Sequence, residues 1–341
     1  MKKFIKIITG VLCTLILLVA LCCVGVRIYF KAPVSAYYKA SEKAFEIPGL
    51  RDNFVPQGFH YDKDNDRFLI SGYSSKKAAS SVYLVDASTG EEIACVKLLK
   101  KNGEAFTGHA GGVALFGNYL YIAGSGSKCV FVYDYSQVLS CKSGEAVKCL
   151  GSFYFKGSDD DYVKASFVSV EGNRLIVGEF FSEPDYPTLD SHKTVTLSGE
   201  KHGGVAIEYS LSESAEFGID PVPTRAYSIR DKVQGITFDG GKIYLSTSLG
   251  FNHSYIYEYS EAKAAQNGEI VLAGYSLPLY ELDGTSLENT YKTPPMAEEI
   301  VFKDGRMYVM CESACNKYIL GKLASAKWCY ATSLDELRKA A

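Results

Sequence analysis

Four glutamates and two glutamines stand where polar side chains are unexpected, each at the edge of an apolar run and close to a small residue. They are Glu179 after Gly178, Glu312 after Cys311, the pair Glu298-Glu299 after Ala297, Gln57 before Gly58 and Gln234 before Gly235. Carboxylates and amides brought to one point offer two chemistries. Oxygen ligands suit a hard cation such as calcium, for which Glu179, Glu298 and Glu312 are the metal candidates. A carboxyl pair can also move protons, which makes Glu298 a catalytic candidate. His109, within Thr107-Gly108-His109-Ala110-Gly111-Gly112, is the second catalytic candidate. An imidazole titrates near neutral pH, and the glycines allow close approach to the backbone. The ligand-binding set is therefore Gln57, His109, Glu179, Gln234, Glu298, Glu299 and Glu312. Plainer roles compete for each: a solvated loop carboxylate, a Glu paired with a Lys, or an amide bonding a neighbouring strand. His202 is a weaker candidate, and His60, His192 and His253 read as surface residues. No Gly-x-Ser-x-Gly, no Gly-rich phosphate loop ahead of a helix and no His-Glu-x-x-His is present, so whether the chain is an enzyme stays open.

These positions gain meaning from a pattern that occurs five times. A small or polar pair opens an apolar strand, a tight turn follows, and a second apolar strand ends on a small residue and then a polar one. The openings hold Gln57, Gly111, Ser166, Gln234 and Glu298; the second strands end at Tyr73, Ser125, Glu179, Ser248 and Glu312. Four of the five turns are Gly-Asn, Gly-Gly or Asp-Gly, a strong hairpin signal. Third strands read at 81–86, 130–134, 204–209, 255–259 and 328–332, and fourth strands at 92–98, 147–155, 225–229 and 276–282. The last repeat lacks a fourth strand, and 44–47, ahead of the first, is the segment able to complete it. Four-stranded repeats of this length stack about an axis, which predicts an all-β fold, a single β-propeller of five blades closed by its own N-terminal strand. A sixth blade within 181–202 or 261–275 is the alternative. In a propeller the inner strands line a channel, so both polar columns converge on one mouth of it. Residues 333–341 read as a short helix capped by Ser333, with Glu336 three positions on.

Composition agrees with β structure: 25 Tyr and 18 Phe against one Trp. A net charge of −3 with scattered Lys and Arg points away from nucleic acid as a partner. Lys2, Lys3 and Lys6 precede an uncharged stretch, 7–26, closed by Arg27 and Lys31. Twenty residues rising about 1.5 Å each span about 30 Å, the thickness of a bilayer core. This predicts a cytoplasmic n-region at 1–6, a transmembrane signal-anchor helix at 7–26, a linker at 27–43 and the propeller at 44–341. The chain is then single-pass in the cell membrane, with its N-terminus cytoplasmic and the propeller outside. A cleaved signal peptide and a lipoprotein are the alternatives. Seven cysteines lie outside the anchor, without zinc spacing, and read mostly as free thiols. Bridges between Cys129 and Cys149, or between Cys311 and Cys329, are the exceptions weighed.

On its Gln-Gly strand openings, Gly-His-Ala-Gly-Gly and Pro-Pro-Met-Ala-Glu-Glu, the chain resembles the bacterial propeller superfamily of gluconolactonase-like, strictosidine-synthase-like and quinoprotein-like repeat proteins. More closely it looks like membrane-anchored bacterial propellers without an assigned activity. Lactonase-like members hold calcium through a Glu, Asn residues and an Asp on the axis; the two columns here hold Glu179, Glu298 and Glu312 but no Asn or Asp. The leading expectation is a membrane-anchored module binding a small molecule, glycan or peptide at the channel mouth. A metal-dependent, lactonase-like hydrolase using axial carboxylates with His109 as base is the alternative, and an envelope scaffold is the third.

Overall fold

The computed structural model describes residues 2–324 and 326–340. The period-two alternation folds into short antiparallel strands. Their hairpins close where Gly240-Gly241 (φ 55° and 74°) and Asp304-Gly305 (φ 51° and 71°) take positive φ at both central positions, the geometry that matches strand twist.

The main sheets form five blades. Blade 1 is Phe54–Asp62, Arg67–Ser74, Ser81–Asp86 and Glu92–Leu99. Blade 2 is Val113–Phe116, Tyr119–Gly124, Cys129–Asp134 and Gly151–Tyr154. Blade 3 is Phe167–Glu171, Arg174–Gly178, Gly204–Leu211 and Ile219–Ile229. Blade 4 is Val233–Asp239, Lys242–Thr247, Ser254–Ser260 and Leu287–Thr293. Blade 5 is Ala297–Lys303, Arg306–Cys311, Trp328–Thr332 and, from the other end of the chain, Ser41–Glu46. That last strand runs antiparallel to Trp328–Thr332, from Ser41 opposite Thr332 to Glu46 opposite Trp328. The expected closure is therefore present and starts at Ser41. The inner strands touch in cyclic order, blade 5 against blade 1 included.

Two fourth strands differ from the expectation. Residues 276–282 do not finish blade 4: Ala265–Leu272 and Tyr275–Glu281 form a hairpin annexed by blade 3, where Tyr275–Glu281 pairs in parallel with Ile219–Ile229. Leu287–Thr293 takes the vacated edge beside Ser254–Ser260. Segment 147–155 is also split: Ala146–Lys148 pairs in parallel with Glu92–Leu99 of blade 1, and only Gly151–Tyr154 belongs to blade 2. In both cases an apolar strand covers a neighbour's outer edge, which protects it from pairing with another chain. The inserts thus add no sixth blade; within 181–202 a small hairpin, Thr194–Val195 with Lys201–His202, forms instead.

One side chain ties the axis together. Glu299 is buried, and its Oε2 accepts from the backbone N–H of Phe59 at 2.8 Å and of Val113 at 3.4 Å, while Oε1 accepts from Val168 N–H at 3.3 Å. Three blades thereby donate to a carboxylate supplied by a fourth. Glycine makes the room for it. A Cβ on Gly112 would meet Glu299 Oε1 and Val168 N at 2.5 Å each, and one on Gly235 would meet Glu299 Cγ at 2.6 Å. Gly112→Ala is expected to cost about 2–3 kcal/mol, because backbone on one side of the intruding methyl cannot give way. A melting temperature equal to that of the wild type would show that the axis repacks instead.

The N-terminal helix α1, Lys2–Lys31, is long and apolar enough to cross a membrane. It does not hang from a free tether. Ala32–Val34 forms a 3-10 turn and Ser35–Lys39 a short helix, and Val34 and Tyr37 are buried with Tyr330, Leu334 and Leu337. The helix Leu334–Ala340 is capped as expected, Ser333 Oγ accepting from Glu336 N–H at 3.3 Å. Arg338 fastens it to blade 4, donating from one nitrogen to both Glu258 oxygens at 2.9 Å. All ten cysteines are unpaired. Cys149 Sγ donates to the Gly151 carbonyl at 2.8 Å.

Candidate functional site

Three strand openings share one backbone device. Gln57 in blade 1 and Gln234 in blade 4 are the extra residue of a register shift, and in blade 5 Glu298 and Glu299 together oppose one residue of the partner strand. A bulge of this kind re-aims a side chain that regular pleating would send elsewhere. The residue just ahead of each of these strands is held in the left-handed region: Asn53 at φ 63°, Lys232 at 66° and Met296 at 62°. Such non-glycine strain gathers where structure over-determines the backbone, often at binding sites.

The result is a cavity of about 560 Å³ at one mouth of the channel. All five opening residues, Gln57, Gly111, Ser166, Gln234 and Glu298, line it. Four of the five second-strand ends, Tyr73, Ser125, Ser248 and Glu312, join them, and so does His109. Of the candidate set, the cavity therefore brings together Gln57, His109, Gln234, Glu298 and Glu312.

Two candidates are placed elsewhere. Glu299 does not reach this cavity: the bulge sends it to the axis, where its oxygens are occupied by the three backbone N–H groups, and beyond it a smaller space of about 150 Å³ opens at the opposite end. Glu179 is turned aside as well. Its Oε2 lies 2.9 Å from His192 Nδ1 and its Oε1 accepts from Lys164 N–H at 3.1 Å, with both the Glu and His side chains fully buried. The three-carboxylate set Glu179, Glu298 and Glu312 is thus not assembled. Among the described residues, no group of three or more His, Cys, Asp or Glu is placed to hold a metal ion. His192, read from the sequence as a surface residue, is the partner that removes Glu179. A contact made across an irregular insert leaves no periodic trace. His202 is also structural, its Nδ1 lying 2.9 Å from Ser228 Oγ.

Within the cavity Gln57 Nε2 donates to Glu312 Oε2 at 2.9 Å and to its neighbour's carbonyl, Pro56 O, at 2.8 Å. The amide thereby joins blade 1 to blade 5 and presents its oxygen separately. Gln234 Nε2 donates to Ser248 Oγ at 3.0 Å. Glu298 and Glu312 are 2% and 8% exposed, too buried for two free carboxylates. Burial raises Glu312 to about 7 against the pull of Lys317, Tyr318 and Gln57. Burial, and then the like charges of Glu312 and Glu299, hold Glu298 well above the carboxylate range. At neutral pH the pair therefore keeps at least one proton and can both donate and accept. Burial also raises the pKa of Glu299, which its three N–H donors oppose.

Aromatic rings form the walls. His109 stacks on Tyr73, centroids 4.5 Å apart with 27° between planes. Surrounding protein atoms and then the Lys317 charge lower the His109 pKa, so the imidazole is neutral at pH 7. Lys317 Nζ donates to the Tyr73 hydroxyl and lies 5.0 Å from the Tyr73 ring centroid. Phe180 meets Tyr186 edge-on at 5.2 Å, and Phe251 meets Tyr318 at 6.3 Å. Lys164, Lys317, Tyr318, Tyr186 and Phe251 line the cavity without having been singled out in the sequence, because they sit on loops outside the repeated pattern. The only pointer to them was the position of those loops, ahead of a first strand for Lys164, inside an insert for Tyr186 and after second strands for Phe251, Lys317 and Tyr318.

Neither a protein-family model nor a curated protein matches the sequence. Among solved structures the chain is similar to glutaminyl cyclase of Myxococcus xanthus, with 10% identity, a TM-score of 0.44, and 86% of this chain and 94% of that one covered. It is also similar to the PQQ-bound aldose sugar dehydrogenase of Streptomyces coelicolor, with 14% identity, a TM-score of 0.42, and 81% and 92% covered. Hydrazine synthase of Kuenenia stuttgartiensis matches at 13% identity and a TM-score of 0.37 over 75% of this chain, which spans only 55% of that one. The site is therefore read from its own residues.

Proposed function

We propose that the protein is a propeller held by α1 in the cell membrane, its ring outside and its N-terminus cytoplasmic, that binds a small hydroxyl-rich ligand of the glycan class. The observation that carries this reading is the meeting of all five strand openings with a buried carboxyl pair and aromatic walls in one cavity. Aromatic faces take the apolar side of a sugar ring, while amides and a half-protonated carboxyl pair exchange hydrogen bonds with its hydroxyls. The mouth lies on the side where α1 leaves the ring. Phe251 lines the cavity and packs on Phe30 of α1 at 6.2 Å, and His253 Nε2 lies 3.1 Å from the Phe30 carbonyl oxygen. A ligand held at the membrane surface is therefore within reach.

The test is calorimetric titration of the full chain, in detergent, with a panel of neutral, amino and acidic oligosaccharides. At least one binds, and Tyr73→Ala weakens it about tenfold, as loss of a stacking face does. A panel without a binder, or binding indifferent to Tyr73→Ala, overturns the glycan reading. A second reading has a specific basis: Glu312, raised to about 7, lies beside Glu298, also held well above the carboxylate range, and such a pair can set a general base beside an acid. It takes the form of a hydrolase run by the carboxyl pair, because Glu179, the third ligand of the calcium set, is engaged by His192. Turnover of the bound sugar that disappears in Glu298→Gln decides for it; unchanged sugar decides against.

A further inference from the structure

Beside the cavity mouth, where α1 meets the ring, lies a groove of about 400 Å³ that the proposed binding site does not use. Its walls carry Arg27, Lys31, Lys43, Arg51, Lys322 and Lys327. Among the described residues Glu46 is the only acid lining it, 2.8 Å from Lys327 and 3.7 Å from Arg51. The chain's one tryptophan, Trp328, lies between two of these cations, Lys43 and Lys327 Nζ each standing 5.1 Å from its ring centroid. A groove with this excess of positive charge is complementary to an anion with several oxygens.

Its depth follows from α1. An apolar crevice between α1 and the ring is lined by Gly25, Val26, Tyr29, Phe30, Phe251 and Leu320. Gly25 and Val26 end the uncharged stretch, so Leu320 lies level with the end of the segment able to cross the bilayer. Ile319 and Leu320 are 82% and 62% exposed, as apolar side chains facing lipid are. Arg27 and Lys31 follow on the next turns of the same helix, within roughly 8 Å along its axis. That is headgroup depth, where Trp and basic side chains concentrate and where lipid phosphates lie.

We propose that this groove binds the phosphate headgroup of an anionic phospholipid in the leaflet where α1 emerges. The proposal rests on the anchor reading above. Cations from α1 (Arg27, Lys31), the closing strand (Lys43), the following turn (Arg51) and the last blade (Lys322, Lys327) converge on one headgroup. The lipid then clamps helix and ring together and keeps the cavity mouth turned to the membrane.

Trp328 makes the test direct, since it is the sole source of tryptophan emission. The full chain is reconstituted in phosphatidylcholine–phosphatidylglycerol vesicles in which either lipid carries brominated acyl chains at equal mole fraction. Brominated phosphatidylglycerol is expected to quench Trp328 at least about twofold more than brominated phosphatidylcholine. K43E/K322E removes the preference, whereas K43R/K322R retains it, which separates lost charge from a damaged fold. Equal quenching by the two lipids in the wild type overturns the site. Loss of the preference in phosphate buffer, compared with chloride at matched ionic strength, assigns the groove to free phosphate and overturns the lipid occupant. An alkaline carbonate wash of the membranes keeps the two readings apart. Release of the chain overturns the anchor itself; a retained chain with equal quenching overturns only the groove.

Discussion

Replacing Glu299 by alanine is expected to lower the melting temperature by roughly 10 °C, a loss of about 3–5 kcal/mol. Three inner strands aim a backbone N–H at this one carboxylate, from Phe59, Val113 and Val168. Alanine leaves those donors buried without an acceptor and empties the space that Gly112 and Gly235 reserve. Each orphaned donor costs about 1–3 kcal/mol, and relaxation of the ring recovers part of the sum. Glu299→Gln is expected to fall between the two, because an amide keeps one acceptor but turns its NH₂ toward a donor. Thermal unfolding of the full chain in detergent measures both. An alanine variant melting within about 2 °C of wild type would mean that the inner strands hold their spacing unaided and that the axial carboxylate is incidental. Because Glu299 is outside the cavity, ligand binding by the folded variant should be little changed. That outcome separates it from Glu298, one residue earlier.

Glu312→Gln is expected to act in the opposite direction, making the protein more stable at pH 8. The sign follows from proton linkage. Glu312 titrates near 4.5 when unfolded and at about 7 in the fold, so the folded chain holds a proton that the unfolded chain has released. Stability contributed by the protonated group is complete below about 4.5, declines as pH rises, and is lost above about 7. The displacement corresponds to about 3 kcal/mol. Glu298, raised by the same burial and by Glu312, adds in the same sense. A glutamine cannot ionise and still accepts the Gln57 amide hydrogen bond. The variant should therefore flatten the fall in melting temperature between pH 5 and pH 8, and at pH 8 exceed the wild type by about 1–3 kcal/mol. A variant less stable than wild type at pH 8 would show that the carboxyl pair is not under strain. Retention of a costly buried pair is what a binding or catalytic site predicts, since stability there is sacrificed for function.

What the sequence by itself determined is whatever repeats or extends along the chain. The five hairpins, the two polar columns, the closing strand ahead of the first blade and the apolar helix are all periodic or contiguous, and each is legible in a short window of residues. The columns led to Gln57, Gln234, Glu298 and Glu312 because equivalent positions in a ring of blades must converge, and the contiguous Gly-His-Ala-Gly-Gly run led to His109. Tertiary structure alone decided the rest. Tyr275–Glu281 reads as an ordinary edge strand, and nothing local says that it will cross to blade 3 and leave blade 4 to Leu287–Thr293; outer edges are assigned by packing between distant segments. Glu298 and Glu299 are chemically identical neighbours, yet one bulge sends the first into the cavity and the second onto the axis. Glu179 holds the same column position as Glu312, yet it is captured by His192 from an insert with no repeat partner. The charged groove has the same origin: Arg27, Lys43 and Lys327 are scattered in sequence and meet only because the N-terminal strand closes the ring beside Trp328–Thr332.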